Sequence, residues 1–159
     1  VRTGDIEDFP GCDNLPVYDV RVEDDEIIVC GDRSVVEMRQ PMVTKDMFQR
    51  AVTDETVVIV GGGVAGGTCA EVLRQEGKII VLNREEYPPY ERPKLSKVMS
   101  IGIEKALLRS KDFFTENAID LRLGVTVEEL KPEDKTLICS DGEVIKYDHA
   151  VLASGAEYG

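Results

Sequence analysis

The chain has 159 residues, enough for one hydrophobic core and a fragment of another. Its 31 acidic and 19 basic side chains leave a net charge of −12, which argues against nucleic acid or an anionic membrane surface as partner, since both select a basic face. No run approaches the roughly 18 apolar residues of a membrane span, and the start of the chain, Val1-Arg2-Thr3-Gly4-Asp5, lacks the apolar core of a secretory signal.

Residues 1–16 are rich in turn formers, among them Phe9-Pro10-Gly11 and Asn14-Leu15-Pro16. Alternation from Tyr18 to Glu23, a turn at Asp24-Asp25 and a return over Glu26 to Cys30 predict a β-hairpin. With one modest apolar face, such a hairpin is marginal in water without further strands. Residues 31–55 carry mixed charge, Pro41 and no clear period, and read as a linker between two domains.

The chain is organised around the next stretch. Thr56-Val57-Val58-Ile59-Val60 runs straight into Gly61, Gly63 and Gly66, and an amphipathic segment follows. This is the strand, tight turn and helix start of a dinucleotide-binding βαβ unit. Gly61 permits the sharp turn, Gly63 removes a side chain where a pyrophosphate approaches, and Gly66 lets helix and strand pack closely. The N–H groups of the helix start, at residues such as Val64 and Ala65, and the positive end of its dipole then favour phosphate. Ala65, Cys69, Val72 and Leu73 fall on one helical face, and Glu71, Arg74, Gln75 and Glu76 mostly on the other. Gly77 stops the helix, and Lys78 to Leu82 reads as a second buried strand. A carboxylate about 20 positions past the loop accepts ribose hydroxyls in such units. Glu85 and Glu86 stand there, and Glu85 is the favoured ligand; the bland alternative is two solvated loop carboxylates.

Prolines hold residues 83–93 extended, with a short helix from about Lys94. Ser110 is placed to cap a helix over Lys111 to Asn117 that carries Phe113 and Phe114 inward. Ile119 to Leu123 predicts a third strand of the main sheet. Val125 to Leu130, Lys135 to Cys139 and Val144 to Tyr147 predict a small antiparallel meander with its last turn at Asp141-Gly142. Ala150 to Ala153 is a further strand, ending in Ser154-Gly155. Cys12, Cys30, Cys69 and Cys139 show neither metal-ligand nor C-x-x-C spacing, which fits a reducing compartment, cytoplasm or mitochondrion, and not secretion.

Several segments together resemble the flavoprotein family of apoptosis-inducing factor and the ferredoxin and rubredoxin reductases, within the pyridine nucleotide-disulphide oxidoreductase superfamily. They are Val57 to Gly67, the run Pro89-Tyr90-Glu91-Arg92-Pro93-Lys94-Leu95-Ser96-Lys97, Tyr147-Asp148, and Val151-Leu152-Ala153-Ser154-Gly155. Residues Thr3 to Gly11 and the hairpin after them look like the tail of a Rieske domain, as in the branch of the family that carries one. The resemblance implies FAD at the glycine loop and NAD(P)H as co-substrate. It places Arg92 and Lys97 along the FAD, with Lys97 near the flavin ring, where an ammonium offsets the negative charge of reduced flavin. The backbone at Thr126-Val127 is expected to meet the adenine, and Ala153, Ser154 and Gly155 to approach the cofactor again. Ser154 stands where relatives usually have Thr. Arg84 stands where they often carry the ribose Glu, which leaves that task to Glu85.

A Rieske cluster needs two cysteines and two histidines, and His149 is the only histidine, so no iron–sulfur cluster or other metal site is expected in this chain. No cysteine lies between Cys69 and Cys139, so the C-x4-C redox pair of disulfide-reductase relatives is missing. The expected architecture is α/β: a Rossmann-like FAD-binding βαβ unit with a parallel sheet and a small antiparallel β-meander, preceded by a β-hairpin remnant of a Rieske domain. The expected domains are residues 1–31 as that remnant, 32–55 as linker and 56–159 as the first part of an FAD-binding domain. The expected function is the FAD-binding portion of an NAD(P)H-dependent oxidoreductase that passes electrons to an iron–sulfur centre, quinone or oxygen. A nicotinamide-binding unit is missing from these residues, so the piece alone is expected to be inactive. The alternative is a truncated fragment that serves as a binding or interaction module.

Overall fold

Strands that are apolar at every position are stable only where both faces of a sheet are covered. The runs Val57 to Val60 and Ile79 to Leu82 are of this kind. A computed structural model describes residues 13–14, 18–31, 40–41, 53–73, 77–97 and 102–156. The chain divides into two units, Val1–Met47 and Phe48–Gly159.

In the first unit, β1 (Asp13–Asn14) pairs antiparallel with β4 (Gln40–Pro41), and β2 (Asp19–Glu23) with β3 (Glu26–Cys30). Asp24 and Asp25 sit at φ 49° and 62°, the left-handed pair that a two-residue type I′ hairpin turn demands. Val20 faces Val29 across the hairpin and Val22 faces Ile27, and all four are exposed. Residues 1–12, which hold most of the Rieske-tail motif, lie outside the described residues.

The second unit is built on β5 (Thr56–Val60), α1 (Val64–Leu73), β6 (Lys78–Asn83), α2 (Arg92–Lys97), a 3-10 turn (Ile103–Lys105), α3 (Lys111–Glu116), β7 (Ile119–Leu123), β8 (Val127–Lys131), β9 (Thr136–Cys139), β10 (Val144–Lys146) and β11 (His149–Leu152). The sheet has the order β11-β5-β6-β7 and is parallel throughout. Alternation along β5 and β6 divides the core in two. Val57, Ile59, Ile79 and Val81 pack with Ala70 of α1 and Phe114 of α3. Val58, Ile80 and Leu82 pack with Leu137, Cys139, Ile145 and Tyr147 of the meander β8–β10. Each such side chain removed from water stabilises the fold by roughly 1.5–3 kcal/mol.

Local chemistry sets the ends of these elements. The Ser110 hydroxyl accepts from the Phe113 N–H and caps α3. The β11 strand is set beside β5 by Asp148, whose carboxylate accepts from the Thr56 N–H at 2.8 Å while its own N–H donates to the Thr56 carbonyl at 2.9 Å. Asp148→Ala is therefore expected to lower stability by about 1 kcal/mol, read as an earlier urea midpoint at unchanged slope.

The helix α1 differs from its sequence reading. Ala65 and Val72 are exposed, and Glu71, expected on the polar side, is buried. The cause is contact on two sides. Gly66 and Ala70 face the sheet, while Gly67 faces Pro89, whose Cβ would stand 2.8 Å from an added methyl. Glu71 then meets Arg109, with Nε 3.1 Å from Oε2 and Nη2 donating to Oε1 at 3.1 Å. The helix from about Lys94 starts two residues earlier, at Arg92.

Candidate functional site

At the C-terminal edge of the sheet, the chain leaves β5 toward β6 and β7 on one side, while β11 returns on the other. This is the switch point at which open α/β sheets bind ligands. A cleft of about 970 Å³ lies there, near the upper end of the usual range for small-molecule sites. Its walls are the turn of residues 61–63, the start of α1, the end of β6, the segment of residues 125–127, and the end of β11.

The glycines of the turn have different reasons. Gly61 has φ +111°, and a Cβ there would lie 2.2 Å from the Ala153 carbonyl oxygen. It thus permits both the turn and the close pass of residues 153–154. A Cβ on Gly66 would lie 1.9 Å from the Gly61 oxygen and 3.4 Å from Ile59 Cγ2, so this residue packs beneath the turn and does not line the cleft. A Cβ on Gly63 would meet nothing within 4 Å. Gly63 caps α1, its carbonyl accepting from the Gly67 N–H at 2.8 Å. The N–H groups ahead of that bond have no partner within the helix, and the first turn of α1 carries no carboxylate to oppose its dipole. Such a helix start favours an anion, and Val64 and Ala65 lie on the wall of the cleft.

Glu85, half-buried on the rim, is ion-paired through Oε1 to Nη2 of Arg92. The Arg92 guanidinium lies 5.7 Å from the centre of the Tyr90 ring. Burial, and then a hydrogen bond to Glu85, push the Tyr90 phenol above its ordinary value. The run 89–94 is held in place from behind. Pro89 is fully buried, and the Glu91 and Leu108 N–H groups donate to Ala106 and Pro89 carbonyls. So Glu85 and Arg92, singled out separately from the sequence, meet at one corner. Val127 and the triplet Ala153, Ser154 and Gly155 line the same cleft. Lys97 ends α2, and its side chain lies outside the described residues.

The model of the pyridine nucleotide-disulphide oxidoreductases matches residues 55–158. The chain belongs to that family. Apoptosis-inducing factor 3 of Homo sapiens is 34% identical over 98% of this chain and 27% of its own length. A ferredoxin–NAD(+) reductase component of a 3-phenylpropionate/cinnamic acid dioxygenase, from Photorhabdus laumondii, is 41% identical over 65% of this chain and 27% of its own. The crystal structure of NADH:rubredoxin oxidoreductase from Clostridium acetobutylicum superposes with a TM-score of 0.64 at 27% identity, over 67% of this chain and 29% of that one. The chain thus spans about a quarter of the length of the curated relatives it matches.

Neither Cys69 nor Cys139 lines the cleft. Burial pushes the thiols of Cys69 and Cys139 up, with the charges of Asp141 and Glu143 adding at Cys139. At mildly alkaline pH both therefore hold less thiolate than an ordinary cysteine. Iodoacetamide is expected to label exposed Cys30 at least about ten-fold faster than either, as read by peptide mass spectrometry. Among the described residues no group of three or more His, Cys, Asp or Glu is placed to hold a metal, and no helix is long and apolar enough to cross a membrane.

Two residues of the site escaped the sequence reading. Gly62 carries no side chain because Asn83 fills its space, with Asn83 Cγ 2.4 Å from where a Cβ would stand. Asn83 itself is buried at the end of β6. A polar residue closing an apolar strand was the available signal.

Proposed function

We propose that this cleft holds FAD and that the protein is an NAD(P)H-dependent flavoprotein oxidoreductase. Hydride would pass from NAD(P)H to FAD, and electrons onward to an iron–sulfur centre, quinone or oxygen. The reading rests on the turn at Gly63: no side chain or distant backbone lies within 4 Å of an added Cβ, the N–H groups of the helix start have no partner within the helix, and the turn lines the cleft at the switch point of a parallel sheet. The names of the relatives, reductases that act with NAD(+) and ferredoxin or rubredoxin, support the reaction class.

A bound flavin supplies the capacity to accept two electrons and release them singly or together. The chain's own residues do the rest. The turn at Gly61 and Gly63 and the start of α1, at Val64 and Ala65, hold the pyrophosphate, and Gly66 lets the turn sit low enough to do so. Glu85 accepts from the ribose of the adenosine half, with Arg92 setting its carboxylate. Val127 borders the adenine, and Ala153, Ser154 and Gly155 close the opposite wall. Lys97 offsets negative charge at the flavin ring. Residues 1–31 are the tail of a Rieske-like domain joined through residues 32–55, and the nicotinamide site lies outside these residues.

The test is acceptor-dependent oxidation of NADH and NADPH by the intact protein carrying this chain, with and without added FAD. The expected result is FAD-dependent reduction of a ferredoxin-type protein, a quinone or oxygen. Flavin bound at the site with neither nicotinamide oxidised for any acceptor would overturn the reaction.

A further inference from the structure

Among the described residues only two polar side chains are buried, Glu71 and Asn83. Glu71 is accounted for by its pair with Arg109. Asn83 stands on the wall of the cleft, and its side chain bonds the loop that follows β6. Its Nδ2 donates to the Tyr87 carbonyl at 2.8 Å. Its Oδ1 accepts from the Glu85 N–H at 3.3 Å. Its backbone carbonyl accepts from the Val125 N–H at 2.9 Å, beside the Glu85 carbonyl, which accepts from the Gly124 N–H at 3.1 Å. Its side chain fills the space above Gly62. One amide therefore ties the glycine turn to the loop of residues 84–87 and sets the backbone on which Glu85 stands.

This matters because Glu85 stands in a loop and is only half-buried. A carboxylate there samples many positions unless its backbone is fixed, and a hydrogen bond lost to misplacement weakens binding as surely as one removed. A carboxylate also has about four acceptor positions, so pairing with Arg92 and Tyr90 leaves capacity for a ribose hydroxyl.

We infer that Asn83 is the positioning residue of the ribose end of the cleft, holding the loop so that Glu85 meets the ribose 2′-hydroxyl of an adenine nucleotide. The inference rests on the FAD reading above and assigns a role to a residue that touches no reacting atom.

The test uses ADP and 2′-deoxy-ADP as competitors of FAD uptake by the apoprotein, read by flavin fluorescence. For the unmodified protein, 2′-deoxy-ADP is expected to compete about ten-fold or more weakly than ADP, the usual effect of losing a hydrogen bond to a charged group. Asn83→Ala is expected to bring the two ligands within about two-fold of each other, as does Glu85→Gln, and the double variant goes no lower. Asn83→Ser, which keeps an acceptor for the Glu85 N–H, restores part of the preference. If Asn83→Ala does not fold, Asn83→Ser and Gly62→Ala carry the test, since a methyl on Gly62 displaces the amide and lowers the ratio. A purely structural Asn83 would weaken both ligands equally and keep the ratio, which overturns the inference while leaving the FAD reading intact. Folded, unmodified protein that takes up no FAD overturns both.

Discussion

Gly63→Asp is expected to leave the protein folded and to weaken FAD binding at least a hundred-fold, about 3 kcal/mol. Nothing lies within 4 Å of an added Cβ, and Gly63 is absent from the positions at positive φ, so any residue is accommodated. Asp is also among the preferred caps of a helix, within a few tenths of a kcal/mol of Gly or better. The same carboxylate stands where the pyrophosphate would sit. At about 4 Å, and an effective dielectric near 20, two like charges repel by about 4 kcal/mol. Circular dichroism with thermal melting reads the fold, and fluorescence titration with FAD reads the site. Retained affinity in a folded variant would remove the phosphate from this seat.

Gly66→Ala is expected to do the reverse and damage the fold itself, by about 3 kcal/mol or more. A methyl is the smallest change possible, and in a helix interior it usually stabilises by about 1 kcal/mol. Here it would stand 1.9 Å from the Gly61 carbonyl oxygen and 3.0 Å from its carbon. The obstacle is backbone, so no side chain can swing away. Gly61 cannot retreat either, since Ala153 crowds it from the other side. Either α1 lifts from β5 or the turn deforms, with a cost at the upper end of that for overpacked cores. An unchanged urea midpoint would mean that the turn and helix pack more loosely than described.

The two glycines show what a sequence carries and what it leaves out. Spacing alone predicts a turn at Gly61, a phosphate seat at Gly63 and tight packing at Gly66, because each role follows from the geometry of a strand entering a helix. Strands β5, β6 and β7, the meander, the hairpin turn and the Ser110 cap are legible for the same reason: each depends on neighbours in the chain. Glu71 is not legible. Its burial depends on Arg109, 38 residues away, and helical period alone assigns it to solvent. Gly62 and Asn83 escape likewise, since a third glycine beside two explained ones gives no sign that a side chain 21 positions on fills its space. The partnership of Glu85 with Arg92 needs the loop between them to fold back, which Pro89 secures by packing on Gly67.

Whether the cleft beside Gly63 holds FAD can be read from the visible absorption spectrum. Purified protein would be mixed with FAD, freed of excess by gel filtration, and compared with Gly63→Asp treated alike. Flavin bands are expected to stay with the unmodified protein and to be lost from the variant, whose melting is unchanged. Folded, unmodified protein that emerges colourless, or a variant that keeps its flavin, would contradict FAD binding in this cleft.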